Sequence, residues 1–352
     1  MDNFILGRID LIMRSMELLS GILCVFFNLY FIIKLSQLSI FNRNLKYVLN
    51  AISLSVSIMS VSHFTLGQID YESYALEKGK YIQAVIVHLL QFICQVCALC
   101  NDVKWLLVAL ERTIAYKQRY NYENRGNTIG KRIVIGFFSI TIASMTIKAL
   151  LYYCFQTELN IDERLDAGFS IQASPMFYIY FGHSITCIGW LLAVWQFRQL
   201  EIAIQQATYG NLSVRFEETQ TATVLKALRP LLFAYGYGLF AAILAVPLFF
   251  YVQIKGYNSR SLVYQVLCNV AFLIISIYNF CFVAYLMIKF KPIRRLILKD
   301  FCTLFSLKFS EHTGVTVEPI ATQELHFQAL NAAWNQKANA RENRIIEFSA
   351  IA

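Results

Sequence analysis

Leu106-Leu-Val-Ala-Leu110-Glu111-Arg112-Thr-Ile-Ala115 ends an apolar run that begins at Ile82, and a basic stretch leads from it to Tyr122-Glu123. The run is the longest of its kind in the chain, so a helix is expected to carry it past the roughly 30 Å of membrane hydrocarbon. A Glu-Arg pair where such a helix meets the cytosol suggests a switch: two charges that satisfy each other at rest and separate when something binds from inside. Arg112 as a plain headgroup anchor explains the same spacing. As an interfacial pair still reached by water, Glu111 and Arg112 would contribute about 1 kcal/mol.

Composition places this helix in a larger set. Of 352 residues 57% are hydrophobic and 15% charged, against about 25% charged in a soluble chain. The apolar runs are continuous and lack strict alternation, which points to a helix bundle in lipid and away from a β-barrel. The net charge of +9 implies basic loops against anionic lipid, not nucleic acid. Asp2, Arg8 and Asp10 leave no basic leader and no cleavage site, so the first helix is expected to act as the targeting signal. Eight of the nine cysteines fall in or beside apolar segments, unlike a secreted disulfide framework.

Seven segments are long enough to cross: Leu11–Leu35, Tyr47–Ile69, Ile82–Tyr116, Ile133–Phe155, Pro175–Phe197, Leu231–Gln253 and Leu262–Ile288. With the N-terminus outside, the inner ends and loops hold 19 Lys and Arg and the outer ones 7. The expected fold is therefore an all-α seven-helix transmembrane bundle, N-terminus outside and C-terminus inside. The Glu158–Asp166 stretch is expected to be a solvated acidic outer loop, and Arg198 to Arg229 to extend two helices inward. Lys289-Phe-Lys-Pro292-Ile-Arg-Arg-Leu-Ile-Leu-Lys299 fits an amphipathic helix on the inner leaflet, with Cys302 a palmitoylation candidate. Residues 1–300 form the seven-span membrane domain with its juxtamembrane helix in this reading. Residues 301–352 form a cytoplasmic tail, with a helix near Gln323–Ile346.

No phosphate loop, zinc-binding His-Glu-x-x-His or nucleophile elbow appears, and neither enzyme activity nor a cofactor is expected. Cys94-x-x-Cys97-x-x-Cys100 suits packing better than a metal, because on a helix the first and third thiols point about 120° apart. His63, His88 and His183 lie on different helices, where they either converge on a ligand or a metal or are satisfied polar residues between helices, the second reading being favoured. Asp102 lies about 15 Å along the helix from Arg112. A charge at that depth has a partner or a task, and Lys148 on helix four is the natural partner. The last helix holds no lysine before Lys289, which excludes a retinal Schiff base there.

Three motifs in the three inner loops then narrow the reading. Glu111-Arg112-x-x-Ala115 with Tyr122-Glu123 resembles the signature of the nematode serpentine chemoreceptors of the Sra superfamily (Sra, Srab, Srb and Sre), and the chain leans towards Sre. Leu212-Ser213-x-Arg215-Phe216-Glu217, continuing to Gln220-Thr221, resembles their third-inner-loop pattern Leu-Ser-x-Arg-Tyr-Gln-x-x-Glu-Asn. Phe41-Asn42-x-Asn44-Leu45 resembles Phe-His-x-Asn-Leu. Tyr116, Asn42, Glu217, Gln220 and Thr221 depart from the family pattern. The resemblance implies a G-protein-coupled chemoreceptor in the plasma membrane of sensory neurons, on cilia. It implies a small-molecule ligand between the outer helix halves, near His88, Asp102, Lys148 and His183. A heterotrimeric G protein would be its partner at Glu111, Arg112, Tyr122, Glu123 and Arg215. The rival reading is a small transporter or ligand-gated channel, which would call for paired intramembrane charges and repeated or broken helices.

Overall fold

The computed structural model describes residues 2–38, 41–119, 128–170, 176–206, 212–255 and 261–304. Nine helices and no strand occur among them: α1 Asp2–Gln37, α2 Arg43–Gly67, α3 Tyr81–Lys117, α4 Thr128–Phe155, α5 Ile161–Phe169, α6 Met176–Gln206, α7 Leu212–Ile254, α8 Leu262–Lys289 and α9 Lys291–Leu304. Six of these, α1, α2, α3, α4, α7 and α8, are long and apolar enough to cross a membrane. The expected fifth segment forms α6, 31 residues long, whose apolar course is interrupted by Gly182, His183, Ser184, Thr186 and Gln196. At 1.5 Å per residue the 37 residues of α3 span about 55 Å, well beyond the hydrocarbon.

Local chemistry sets the helix starts. Asn42 caps α2 by accepting from the Asn44 N–H, and Ser261 caps α8 by accepting from Tyr264. Gly79, at φ 73°, closes the second of two 3-10 turns, Tyr71–Ser73 and Leu76–Lys78, between α2 and α3. The left-handed conformation there suits glycine. Pro230 and Pro247 both lie inside α7.

The acidic stretch corrects an expectation. Glu158–Asp166 is not simply a solvated loop: it enters α5 through a capping box in which Asn160 and Glu163 satisfy each other's backbone N–H groups. Asp162 and Asp166 are buried, because Asp162 accepts from the Leu76 N–H at 3.0 Å and the Tyr71 hydroxyl at 3.1 Å.

Residues Met1–Ile297 make one compact unit and Leu298–Ala352 a second. In the first unit α3 packs against α2, α4, α6 and α7, while α1 lies between α2 and α8. The principal core joins Leu45, Leu49, Val108, Leu228, Leu232 and Leu286. Large apolar side chains such as Phe26, Ile82, Ile140, Phe240 and Leu244 face outward, the pattern of helices solvated by lipid. The expected tail helix near Gln323–Ile346 lies outside the described residues.

Candidate functional site

At the end of the bundle where α3 finishes, Glu111 and Arg112 are both fully buried. The Arg112 Nε donates to one Glu111 carboxylate oxygen at 2.5 Å and Nη2 donates to the other at 2.7 Å. Adjacent residues on a helix point about 100° apart, yet these long side chains fold onto each other in a two-bond fork. The expectation of a water-reached pair is therefore corrected: neither side chain touches solvent. The sequence of α3 gives no sign of this, since its neighbours do the covering. Ala115, one turn further on, packs against Ile129 of α4.

A layer of polar contacts ties the neighbouring helices at the same end. Asn42 Nδ2 donates to Glu217 Oε1 of α7 at 3.0 Å, while its own oxygen accepts from the Asn44 backbone at 2.9 Å. The Asn44 side-chain oxygen accepts from the Gly130 N–H of α4 at 2.8 Å. That approach requires glycine, because a Cβ on residue 130 would sit 2.6 Å from the Asn44 carbonyl oxygen. Tyr116 donates to the Ala203 carbonyl of α6 at 2.9 Å, and Arg119 reaches Glu218 of α7 at 3.4 Å. Glu217 and Thr221 are buried beside them. Arg215 lies in the first turn of α7; its side chain, like Tyr122 and Glu123, is outside the described residues.

Halfway along the bundle, Lys104 is the buried charge that ranks above Asp102. Its ammonium donates to Asn101 at 2.8 Å and to Asn279 of α8 at 2.7 Å. The rings of Tyr235, Tyr278 and Phe282 lie 5.3, 4.6 and 5.1 Å away, a cation–π cage from α7 and α8. Asp102 has His183 and Lys104 as its titratable neighbours, and its backbone carbonyl accepts from Tyr235 at 3.1 Å. The expected Asp102–Lys148 pairing is not what forms. Gln95, its amide oxygen turned to α4, accepts from Lys148 Nζ at 2.9 Å and donates to the Phe169 carbonyl at 3.2 Å. Gln95 lies seven residues, about 10 Å of helix rise, from Asp102. Lys148 thus meets α3 nearer the α5 end.

At the α5 end, turns of α1, α2, α3, α5 and α8 surround a cavity of about 220 Å³. Glu17 of α1 is hydrogen-bonded to His63 Nδ1 of α2, and the His63 ring stacks on Phe272 of α8, centroids 3.4 Å apart. Arg14 pairs with Asp10 at 2.7 Å and donates to the Gly67 carbonyl at 2.9 Å. Asn269 of α8 also donates to Asp10, at 3.2 Å. Asp166 accepts from Tyr74 at 3.3 Å and from Gln91 at 3.2 Å, and His88 Nδ1 meets the Gln91 oxygen at 2.9 Å.

Of the residues expected to line a ligand pocket, His88 alone stands behind this wall; Asp102, Lys148 and His183 do not line it. Glu17, His63 and Asp166 do; the sequence reading gives Glu17 no role, names His63 only with the other histidines and puts Asp166 in a solvated loop. The signal was a polar stripe at Asp10, Arg14 and Glu17, one helical face in an apolar run. The three histidines do not converge. Among the described residues no group of three or more His, Cys, Asp or Glu side chains is placed to hold a metal ion. All nine cysteines are free thiols, and Cys302 sits partly exposed on α9.

Compared with known proteins, the chain matches no family model and no curated sequence.

Proposed function

We propose that the chain is a chemosensory G-protein-coupled receptor of the nematode Sra superfamily, a seven-span bundle with α6 as its fifth span, its N-terminus outside and its C-terminus inside. The observation that supports this best is the junction of the three inner-loop motifs. Asn42 and Asn44 from the first, Glu111 and Arg112 from the second and Glu217 from the third gather at one end of the bundle. Residues that resemble a signature at scattered places in the sequence act here as one layer.

In this reading the structure is the resting form. Arg112 is folded back on Glu111, and α7 is held to α2 through Asn42–Glu217 and to α3 through Arg119–Glu218. A ligand favours the other arrangement only through contacts it makes better there. When the Leu212 end of α7 swings away, those two ties open and a groove forms for the G protein. Arg112 then turns from Glu111 towards the partner.

The test is a ligand screen on the full chain in cells with a G-protein readout, together with accessibility of terminal tags on intact cells. Ligand-dependent activation with an exposed N-terminal tag supports the reading. A protected N-terminus with an exposed C-terminus overturns it and restores the channel.

A further inference from the structure

We propose that the exposed basic face at the start of α9 recognises anionic lipid headgroups, those with clustered phosphates above all. The inference rests on the chain being a membrane protein and is independent of the receptor reading. Lys289 ends α8, and Lys291, Arg294 and Arg295 follow in the first turns of α9. All four are exposed, and among the described residues none of their side chains has an ion-pair partner. Lys291 has Arg294 three residues on and Arg295 four on, so both stand beside it on the helix surface, Cβ atoms about 5–6 Å apart. Like charges at these spacings destabilise a helix. An acid among them would relieve this, but the first one after Lys289 is Asp300, five residues past Arg295 and beyond neighbour reach. An anion from outside the chain relieves it instead.

The neighbouring surface indicates the source of that anion. On α8, Ile274, Ile277, Cys281 and Ile288 are exposed at spacings of three, four and seven, one stripe of the helix. An apolar stripe of that length faces lipid, and it ends at Ile288, next to Lys289. The cations therefore begin where hydrocarbon gives way to headgroups. Packing holds them there. Ile293 is fully buried in the principal core, with Leu296 and Ile297 against it, and Phe290 meets Phe41 edge-to-face at 4.8 Å. A basic face fixed in this way offers several charged donors at once to a headgroup whose phosphates are closely spaced, where phosphatidylserine brings a single net charge.

The experiment uses the purified full chain in detergent and the anisotropy of a fluorescent phosphatidylinositol bisphosphate, with phosphatidylserine, phosphatidylcholine and soluble inositol trisphosphate as competitors. The phosphoinositide is expected to bind at least about tenfold tighter than phosphatidylserine or the soluble headgroup, and phosphatidylcholine not to compete. Raising salt from about 0.1 to about 0.5 M should weaken binding about tenfold. Lys291→Gln/Arg294→Gln/Arg295→Gln should lose at least about tenfold in affinity. It should also melt at or above the wild type in lipid-free detergent, since like-charged neighbours are removed. Arg295→Gln alone should lose about threefold. Lys131→Gln/Arg132→Gln/Lys226→Gln, which removes three exposed cations from α4 and α7, should bind as the wild type does. Any of four results overturns the proposal. They are a competitor as tight as the phosphoinositide, unchanged affinity in both α9 variants, a triple α9 variant that melts well below the wild type, and an equal loss in the α4 and α7 variant.

Discussion

Glu111→Gln removes half of a fully buried ion pair while keeping the side chain's size. The two forked bonds of 2.5 and 2.7 Å bring the charge centres to about 4 Å. At an effective dielectric of about 20 such a pair attracts by about 4 kcal/mol. Breaking a buried pair by removing one partner likewise destabilises by about 3–5 kcal/mol, because a charge is left in the interior. Removing the second charge as well leaves no uncompensated ion in the interior, so Glu111→Gln/Arg112→Met is expected to recover most of the loss. The assay follows melting of the purified protein with a thiol-reactive fluorophore, since Cys94, Cys97 and Cys100 are buried until the bundle opens. A double-mutant cycle then gives the coupling, expected to be at least about 2 kcal/mol. If Glu111→Gln melts with the wild type and the coupling is under about 0.5 kcal/mol, Glu111 is not what neutralises Arg112 and the reasoning fails. In the receptor reading the same energy belongs to the resting state alone. Glu111→Gln would then raise basal G-protein activation, since about 3 kcal/mol moves a two-state equilibrium by about a hundredfold.

Lys104→Met is expected to lower stability by about 2–4 kcal/mol by orphaning the Asn101 and Asn279 oxygens, and adding Asn279→Leu should return part of it; melting checks both. Gly130→Ala should destabilise by about 1–3 kcal/mol, because the new methyl meets backbone of α2 that cannot yield. Gly136→Ala, with nothing within 4 Å, should melt at or above the wild type. A tag before Leu11 should label on intact cells and one after Ala352 should not; the reverse pattern would contradict the Lys and Arg asymmetry. In cells, Arg112→Ala should weaken G-protein activation more than ligand affinity, measured at equal surface expression.

The long helices were legible because each is an apolar run bounded by charge. The α3 limits, Tyr81 and Lys117, fall one residue outside the run from Ile82 to Tyr116. α4 starts earlier than its apolar run, at Thr128, because Gly130 continues the helix to meet Asn44. α5 was missed: nine residues make too short a run for periodicity, and its signal was the Asn160–Glu163 cap. The pairing at Glu111 and Arg112 could be read from adjacency, but not its depth, which α3's neighbours impose. Lys148 was assigned to Asp102 on charge alone, whereas helix rise brings it to Gln95. The cavity was illegible because its acids come from α1 and α5, separated by more than a hundred residues of chain, and only packing brings them to one space.

The two sites are linked by one face of α8. Phe272 stacks on His63 at the cavity; one turn on comes buried Ser276, then Asn279, which holds Lys104, then Val283 and Leu286 in the principal core. The spacing of three and four keeps these residues on one stripe, so a movement of α8 at His63, in the receptor reading, would reach Lys104 along a stiff rod. Lys104 in turn touches α7 through the Tyr235 ring. The ladder of α7 is interrupted twice, because Pro230 and Pro247 each remove a donor within it. Side chains from its neighbours fasten it instead: Trp190 donates to the Leu232 carbonyl at 2.9 Å and Tyr278 to the Leu231 carbonyl at 3.2 Å. Gly236 lets the Trp190 ring lie directly on the helix. A helix held by such side-chain bonds next to a proline has a natural point about which to pivot. The ties at its far end, Glu217 to Asn42 and Glu218 to Arg119, are those a pivot at Pro230 would strain first.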